Sequence, residues 1–271
     1  MRALALALAL AACASRTPAP AAPPAPATPD VPVVIETSPV DAGAVALEDV
    51  PPPPEDVSPP ADGVPPPGDA GRSACVEQPP QPFLIRGFYV AGTPGHGAAQ
   101  HRAAIDYRTR HYGRFESFGA ASLNPFPPMH YAVTARFMGL PVRVHRRIVP
   151  ALACVEREIA RACADRPYRP SRLNGIRPAN SFHGGELSNH VYGIAIDVDP
   201  HRNPCCGCGA AFANHPTCRR PATTPYSRMD IPECWVRAFE RYGFYWLGRD
   251  RALRDMMHFE FLGDPDRLPQ P

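Results

Sequence analysis

Proline placement divides this 271-residue chain before any other feature does. Of its 38 prolines, 20 fall in residues 1–82. Each fixes φ and removes a backbone donor, so that stretch cannot supply the continuous hydrogen bonding that helices and sheets need. It reads as an unfolded or polyproline segment. The part able to bury a core runs from Phe83 onward, roughly 190 residues and enough for one full domain.

Charge follows the same boundary. Residues 1–82 hold three arginines against ten acids, whereas the remainder holds 25 arginines against 16 acids, with no lysine anywhere. A basic folded part suits an acidic polymer, nucleic acid or bacterial wall, although net charge governs association and not chemistry. The chain has no long basic run, which argues against nucleic acid as the partner.

The N-terminus sets the expected compartment. One positive charge at Arg2 precedes a short apolar stretch, Ala3 to Ala12, too short to span a bilayer and typical of a secretory signal. Leu10-Ala11-Ala12-Cys13 resembles the bacterial lipobox, which implies cleavage after residue 12 and a lipid anchor on Cys13. Ala14 and Ser15 follow in place of an aspartate, which favours the outer membrane. Residues 13–82 then read as a tether that reaches roughly 50 Å as a coil and on the order of 200 Å as polyproline. The expected organisation is a signal peptide at 1–12, a lipidated tether at 13–82 and a folded domain at 83–271.

Setting Cys13 aside, eight cysteines remain (Cys75, Cys154, Cys163, Cys205, Cys206, Cys208, Cys218 and Cys234). An even number suits disulfides in an oxidising compartment, with Cys154 and Cys163 placed to fasten a helix. Spacing alone leaves a second reading open, in which Cys205, Cys206, Cys208 and Cys218 form a thiolate zinc site.

Apolar residues at helical spacing predict a helix over 147–164. Asp230 with Glu233 three residues later forms a capping-box pattern ahead of Trp235, Val236 and Phe239, and predicts a second helix ending at Gly243. Strand-like runs occupy 83–90, 193–199, 244–247 and 257–261. Without a regular βαβ alternation, the pattern argues for an α+β fold with a small antiparallel sheet and packed helices.

Two segments carry residues suited to a metal hydrolase. In Ser188-Asn189-His190-Val191-Tyr192-Gly193-Ile194-Ala195-Ile196-Asp197 an imidazole precedes a strand from which a carboxylate projects. In Asp255-Met256-Met257-His258-Phe259-Glu260 a second imidazole follows a carboxylate three residues away. Two imidazoles and one carboxylate can hold zinc and leave a fourth position for water, and a nearby carboxylate can take that water's proton. Period two does not choose between Asp197 and Asp199, which share a face. Glu260 shares a face with His258, as a residue that orients a ligand or as a buried ion-pair partner.

Ser-x-His-x-x-Gly-x-Ala-x-Asp followed by Asp-x-x-His-Phe-Glu resembles the zinc D-alanyl-D-alanine carboxypeptidase family, which includes VanX- and VanY-type peptidases and phage L-alanyl-D-glutamate endolysins. The resemblance covers roughly residues 139–261. It implies a Hedgehog/DD-peptidase-like fold and zinc held by His190, Asp197 and His258, with Asp197 preferred over Asp199. It further implies Asp255 as general base, Ser188 beside the bound peptide, and an arginine that stabilises the scissile carbonyl, Arg177 first and Arg169 second. Peptidoglycan stem peptides are the implied substrates, and the bond cleaved stays open. Met256 and Met257 stand where many relatives carry aromatic residues or proline, and the cysteine-rich stretch 203–218 lies outside the minimal family core. His96, His101, His111 and His183 read as ordinary surface or core histidines, and Tyr192 as packing. The expectation is a monomeric, exported zinc peptidase at the periplasmic face of the outer membrane or the cell surface. Its alternative is a zinc-containing wall-binding lipoprotein without turnover, which would not need Asp255.

Overall fold

The structure, a computed structural model, describes residues 75–86, 97–182, 186–209, 212 and 214–270. The chain comprises two units, 1–64 and 65–271. The first lies wholly outside the described residues, as do the expected signal peptide, Cys13, His96 and His183. No helix among the described residues is long and apolar enough to cross a membrane.

The fold is α+β. Helix α1 (Ala98–Tyr112) leads to a hairpin of β1 (Ala132–Phe137) and β2 (Leu140–His145). Met138 and Gly139 turn this hairpin with φ of 51° and 80°, the double left-handed conformation of a type I′ turn. Helix α2 (Val149–Ala162) follows, then β3 (Leu173–Asn174), β4 (Ala195–Val198), the short α3 (Pro216–Arg219), α4 (Glu233–Arg241), β5 (Phe244–Trp246) and β6 (His258–Phe261). The last four strands form one antiparallel sheet in the order β3-β4-β6-β5.

Helix α2 forms where its spacing predicts and buries Ala151, Leu152, Val155 and Ile159. A 3-10 turn, Arg146–Ile148, precedes it and is capped by His145, whose Nδ1 accepts the Arg147 N–H. Helix α4 buries Trp235, Val236 and Phe239 and ends before Gly243, whose φ of 87° turns the chain into β5. The expected capping box does not form, because Pro232 takes the N-cap position. Asp230 instead pairs with Arg202, while the backbone N–H groups of Asp230 and Ile231 donate to Asn203 Oδ1. The strand expected from Phe83 is also absent where it can be followed: Pro82–Leu84 is a 3-10 turn, and 87–90 lie outside the described residues.

The core lies between the sheet and helices α2 and α4. Phe239 stacks on Phe259 and contacts Phe137 and Phe244 edge-on or tilted, while Trp235 packs against Phe137 and Tyr168. Burying each such ring contributes about 2–3 kcal/mol. Ile196, Val198, Phe259 and Phe261 alternate toward this core, leaving the other face of β4 and β6 to Ala195, Asp197, His258 and Glu260.

All eight described cysteines are paired: Cys75–Cys154, Cys163–Cys234, Cys205–Cys208 and Cys206–Cys218. The thiolate zinc site left open by spacing is therefore not formed. Cys75 is bonded to α2, and Gln78 is buried with its side chain bonded to Asp264. Folded chain thus begins no later than Cys75, ahead of the Phe83 boundary that proline content suggests.

Cys163–Cys234 joins the end of α2 to the start of α4 across 71 residues of sequence. Replacing both cysteines by serine is expected to cost about 2–5 kcal/mol, measured as a lower midpoint in urea denaturation with a steeper slope, because the unfolded chain loses its cross-link and expands.

Candidate active site

Strand register brings the centre together. Asp197 of β4 lies directly opposite His258 of β6, so both side chains leave the same face. Two residues along, Ala195 faces Glu260, and the small side chain leaves room for the buried carboxylate.

His190 arrives from the turn that enters β4. Val191 N–H donates to Ser188 O, Gly193 N–H to His190 O and Ile194 N–H to Asn189 O. Gly193 has φ of 69°, and a Cβ there would meet His145 N at 2.8 Å, so the motif glycine answers both a left-handed turn and a close approach to β2. Gly175 is required for similar reasons of space: a Cβ would lie 2.0 Å from Arg143 O. Its carbonyl faces His190 Nδ1 at 2.7 Å.

His190 Nε2, Asp197 Oδ1 and His258 Nδ1 converge, with separations of 3.0 Å from Asp197 Oδ1 to each nitrogen and 3.1 Å between the nitrogens. The far nitrogen of each ring faces an acceptor, Gly175 O for His190 and Glu260 Oε2 at 3.2 Å for His258, so these far positions carry the protons. Neutral rings would therefore point two lone pairs and a carboxylate oxygen at one another, which only a cation or an added proton relieves. Tetrahedral zinc at its usual bond lengths holds ligand atoms about 3.3 Å apart. The donor set and its spacing fit such an ion.

Electrostatics agree. Burial lowers the His190 pKa and keeps the ring neutral, as a ligand must be. Burial opposes charge on Asp197 as well, but the two imidazoles hold its carboxyl well below the ordinary range. Burial also disfavours a charged His258, yet hydrogen bonds and charges from Asp197 and Glu260 raise it to about 10. The cluster thus binds positive charge tightly at the point where the three ligand atoms meet.

A buried polar chain supports His258 from behind. Glu260 Oε2 accepts from Asn189 Nδ2 at 2.8 Å, and Asn189 Oδ1 accepts from Arg108 Nε at 2.7 Å. Arg108, on α1, also donates to the carbonyls of Ala104 and Leu84. Sequence reading missed Arg108 and Asn189. The second lies between motif residues Ser188 and His190, and its position there is the one available signal.

Asp199 separates cleanly from Asp197. It leaves the strand with φ of 43° and turns its carboxylate toward residues 168–172. There it accepts from Tyr168 OH, from the N–H and hydroxyl of Ser171 and from Arg172 N–H, at 2.7–2.8 Å. Asp199 therefore shapes a loop and is no ligand.

His190, Asp197 and His258 open on a cleft of about 570 Å³. Arg177, Ser188, Asp255 and Met257 line it together with Phe182, Phe212 and the Cys205–Cys208 disulfide. Arg177 places one guanidinium nitrogen 2.6 Å from Asp197 Oδ2 and a second 3.4 Å from Ser181 Oγ. Arg169 is exposed and does not line the cleft. Ser188 is buried, its Oγ accepting weakly from His190 N–H at 3.4 Å. Met256 turns into the core, and Tyr192 is fully buried. His101 and His111 lie on α1 away from the cleft.

Asp255 is buried, and its Oδ1 has no hydrogen-bond partner among the described residues. Burial raises its pKa to about 7; His258 opposes that shift and Asp197 adds to it. The cysteine-rich loop holds this residue in place. Cys206 N–H donates to Arg254 O, Gly207 N–H to Leu253 O, and Met256 N–H to Pro204 O. Cys205 bridges Asp255 in antiparallel fashion. The insertion therefore forms one wall of the cleft and also fixes the segment that carries the carboxyl.

Residues 183–261 match the family profile described as D-alanyl-D-alanine carboxypeptidase. The matched stretch contains His190, Asp197, Asp255, His258 and Glu260, and over these residues the chain is similar to that peptidase family. No curated protein and no solved structure gives a match.

Burial pushes the Asp199 carboxyl up, but its four hydrogen bonds outweigh this and hold it below the ordinary value. Its contribution is thus complete above the unfolded carboxyl pKa of about 3.9 and lost as pH falls through the lowered folded value. Asp199→Asn is expected to cost about 1.5–3 kcal/mol at neutral pH, with the gap from wild type closing toward acid in urea titrations.

Proposed function

We propose that this protein is a zinc-dependent peptidase that hydrolyses peptide bonds in peptidoglycan stem peptides. The observation that carries the reading is the convergence of His190 Nε2, Asp197 Oδ1 and His258 Nδ1 at a cleft that also contains the buried carboxyl of Asp255, whose Oδ1 has no partner among the described residues. The family match over 183–261 supports the peptide substrate class. The lipobox and tether support an exported lipoprotein whose domain reaches the wall.

His190, Asp197 and His258 would hold the zinc, which when bound supplies the Lewis acidity that activates water and polarises a carbonyl. Asp255 takes the proton of the attacking water and delivers it to the leaving amine as the C–N bond breaks. A carboxyl with a pKa near neutrality serves both transfers, and positive charge at the three ligand atoms pulls Asp255 down toward the ionised, accepting form. Arg177, beside Asp197, stabilises negative charge on the carbonyl oxygen. Glu260, backed by Asn189 and Arg108, fixes the orientation of His258. The cleft combines apolar walls from Phe182, Phe212 and Met257 with the Arg177 cation, a combination suited to small alanyl side chains and a nearby carboxylate.

Mass spectrometry of defined muropeptides incubated with the oxidised full chain tests the reading. Release of D-alanine, or of fragments cut at L-alanine, is expected and should stop on chelation and resume with added zinc. Asp255→Ala should reduce cleavage by about 10²-fold or more while muropeptide binding persists. Binding without cleavage by the zinc-loaded wild type would instead favour the wall-binding alternative.

Asn189→Ala should weaken zinc affinity by about 10–100-fold in a chelator-competition titration, while circular dichroism stays unchanged. An unaltered affinity would place the Arg108–Asn189–Glu260 chain outside the metal centre's support.

A further inference from the structure

A second polar cavity, of about 340 Å³, shares no lining residue with the cleft. Arg110 of α1, Asn124, Tyr131, and the successive residues His145, Arg146 and Arg147 line it. No acidic side chain lines it.

His145 is the informative residue. It is 1% exposed, and its Nδ1 accepts the Arg147 N–H at 3.2 Å, so the ring proton resides on Nε2. That Nε2–H has no acceptor among the described residues. A buried donor left unpaired costs about 1–3 kcal/mol, so its position calls for an acceptor supplied from outside the fold. Burial, together with Arg147 and Arg146, lowers the ring's pKa to about 3 and keeps it a neutral donor. Tyr112 and Tyr131 hold the ring in place, each with its centroid 5.2 Å away.

The other polar groups are donors as well. Asn124 Oδ1 is occupied by Tyr131 OH and Phe126 N–H, which leaves its amide Nδ2 to donate. Arg147 Nε is buried and without a partner among the described residues. The remaining nitrogens of Arg147 are engaged by Asp266 and His111, and Asp266 neutralises that guanidinium. Arg110 and Arg146 make no ion pair among the described residues, and Arg146 lies over the Tyr131 ring at 5.2 Å. The cavity therefore presents two guanidinium charges without an ion pair among the described residues, and its walls contain a buried imidazole N–H and a buried guanidinium N–H with no partner among those residues.

We infer that this cavity is a binding site for a phosphate group. Guanidinium forks match phosphate oxygens, and a phosphate near neutral pH carries one to two negative charges and several acceptor oxygens for the donors that line the cavity. The group can be free phosphate or the head of an anionic lipid, and both present the same oxygens.

The test uses the full chain and its Arg110→Gln/Arg146→Gln variant. Both side chains are exposed and lie outside the cleft, so muropeptide cleavage serves as an unchanged control. Isothermal titration with inorganic phosphate is expected to give saturable one-to-one binding to wild type, weakened about tenfold or more in the variant. A parallel arm measures co-sedimentation with phosphatidylglycerol vesicles against phosphatidylcholine vesicles. Variant-sensitive retention on the former, without binding of inorganic phosphate, assigns the phosphate to a lipid head. Absence of saturable binding in both arms, or equal binding by wild type and variant, would overturn the proposal.

Discussion

The pairing of Asp197 with His258 across β4 and β6 is the constraint on which the rest of the site depends. Side chains alternate along a strand, so a slip of one residue would send both into the aromatic core and bring Ile196 or Phe259 to the cleft. The large rings on the opposite face prevent that slip, because Phe239 stacks on Phe259 and is itself anchored by α4. Packing energy is thereby converted into the position of two ligand atoms. His190 is then the member of the cluster supplied from outside the sheet, and Gly193 and Gly175 give its turn the clearance to approach β2.

Burying two imidazoles and several carboxylates behind such a sheet is costly unless every charge is met. The fold meets the cost with an ordered column: Arg108, Asn189, Glu260 and His258 in sequence, with Gly175 O opposite His190. Arg108 comes from α1, remote in sequence from both motifs, so a helix outside the matched segment completes the polar support of the His190–Asp197–His258 cluster. A ligand set held from behind in this way has little freedom to collapse or rotate, which keeps the three donor atoms turned toward one point.

Sequence spacing picked out His190, Asp197 and His258, which the fold brings together, because metal chemistry needs particular residue types at particular positions. The α2 and α4 helices were legible for a similar reason, since their buried stripes are apolar and periodic. Helix α1 was not, because its buried positions mix Ala104 and Ile105 with Arg108 and Thr109, and a polar inner face gives no hydrophobic signal. Asp197 and Asp199 could not be separated by periodicity. What distinguishes them is the left-handed turn at Asp199 and its bonds to Tyr168, Ser171 and Arg172, which arise from tertiary contacts. The capping-box pattern at Asp230 was misleading because Pro232, already extended, starts α4 two residues later, while Asn203 takes the N–H groups just before it.

The general-base candidate is held differently from the ligands. Asp255 precedes β6 on a loop that follows Arg254, whose φ of 48° is a costly conformation for a side-chain-bearing residue. Backbone pairing with the 204–207 segment keeps the loop in that shape, and Gly207 is needed there because a Cβ would lie 1.9 Å from Ala252 O. Two disulfides in turn brace 204–207. The same wall removes water from Asp255, and desolvation is the main cause of its raised pKa. Reduction of those disulfides would loosen the wall, hydrate the carboxyl and return it toward ordinary acidity while leaving the ligand geometry of the sheet in place. The position and acidity of Asp255 thus depend on the oxidised cysteine loop, whereas the convergence of His190, Asp197 and His258 depends on strand register, and the two parts of one cleft rest on separate structural supports.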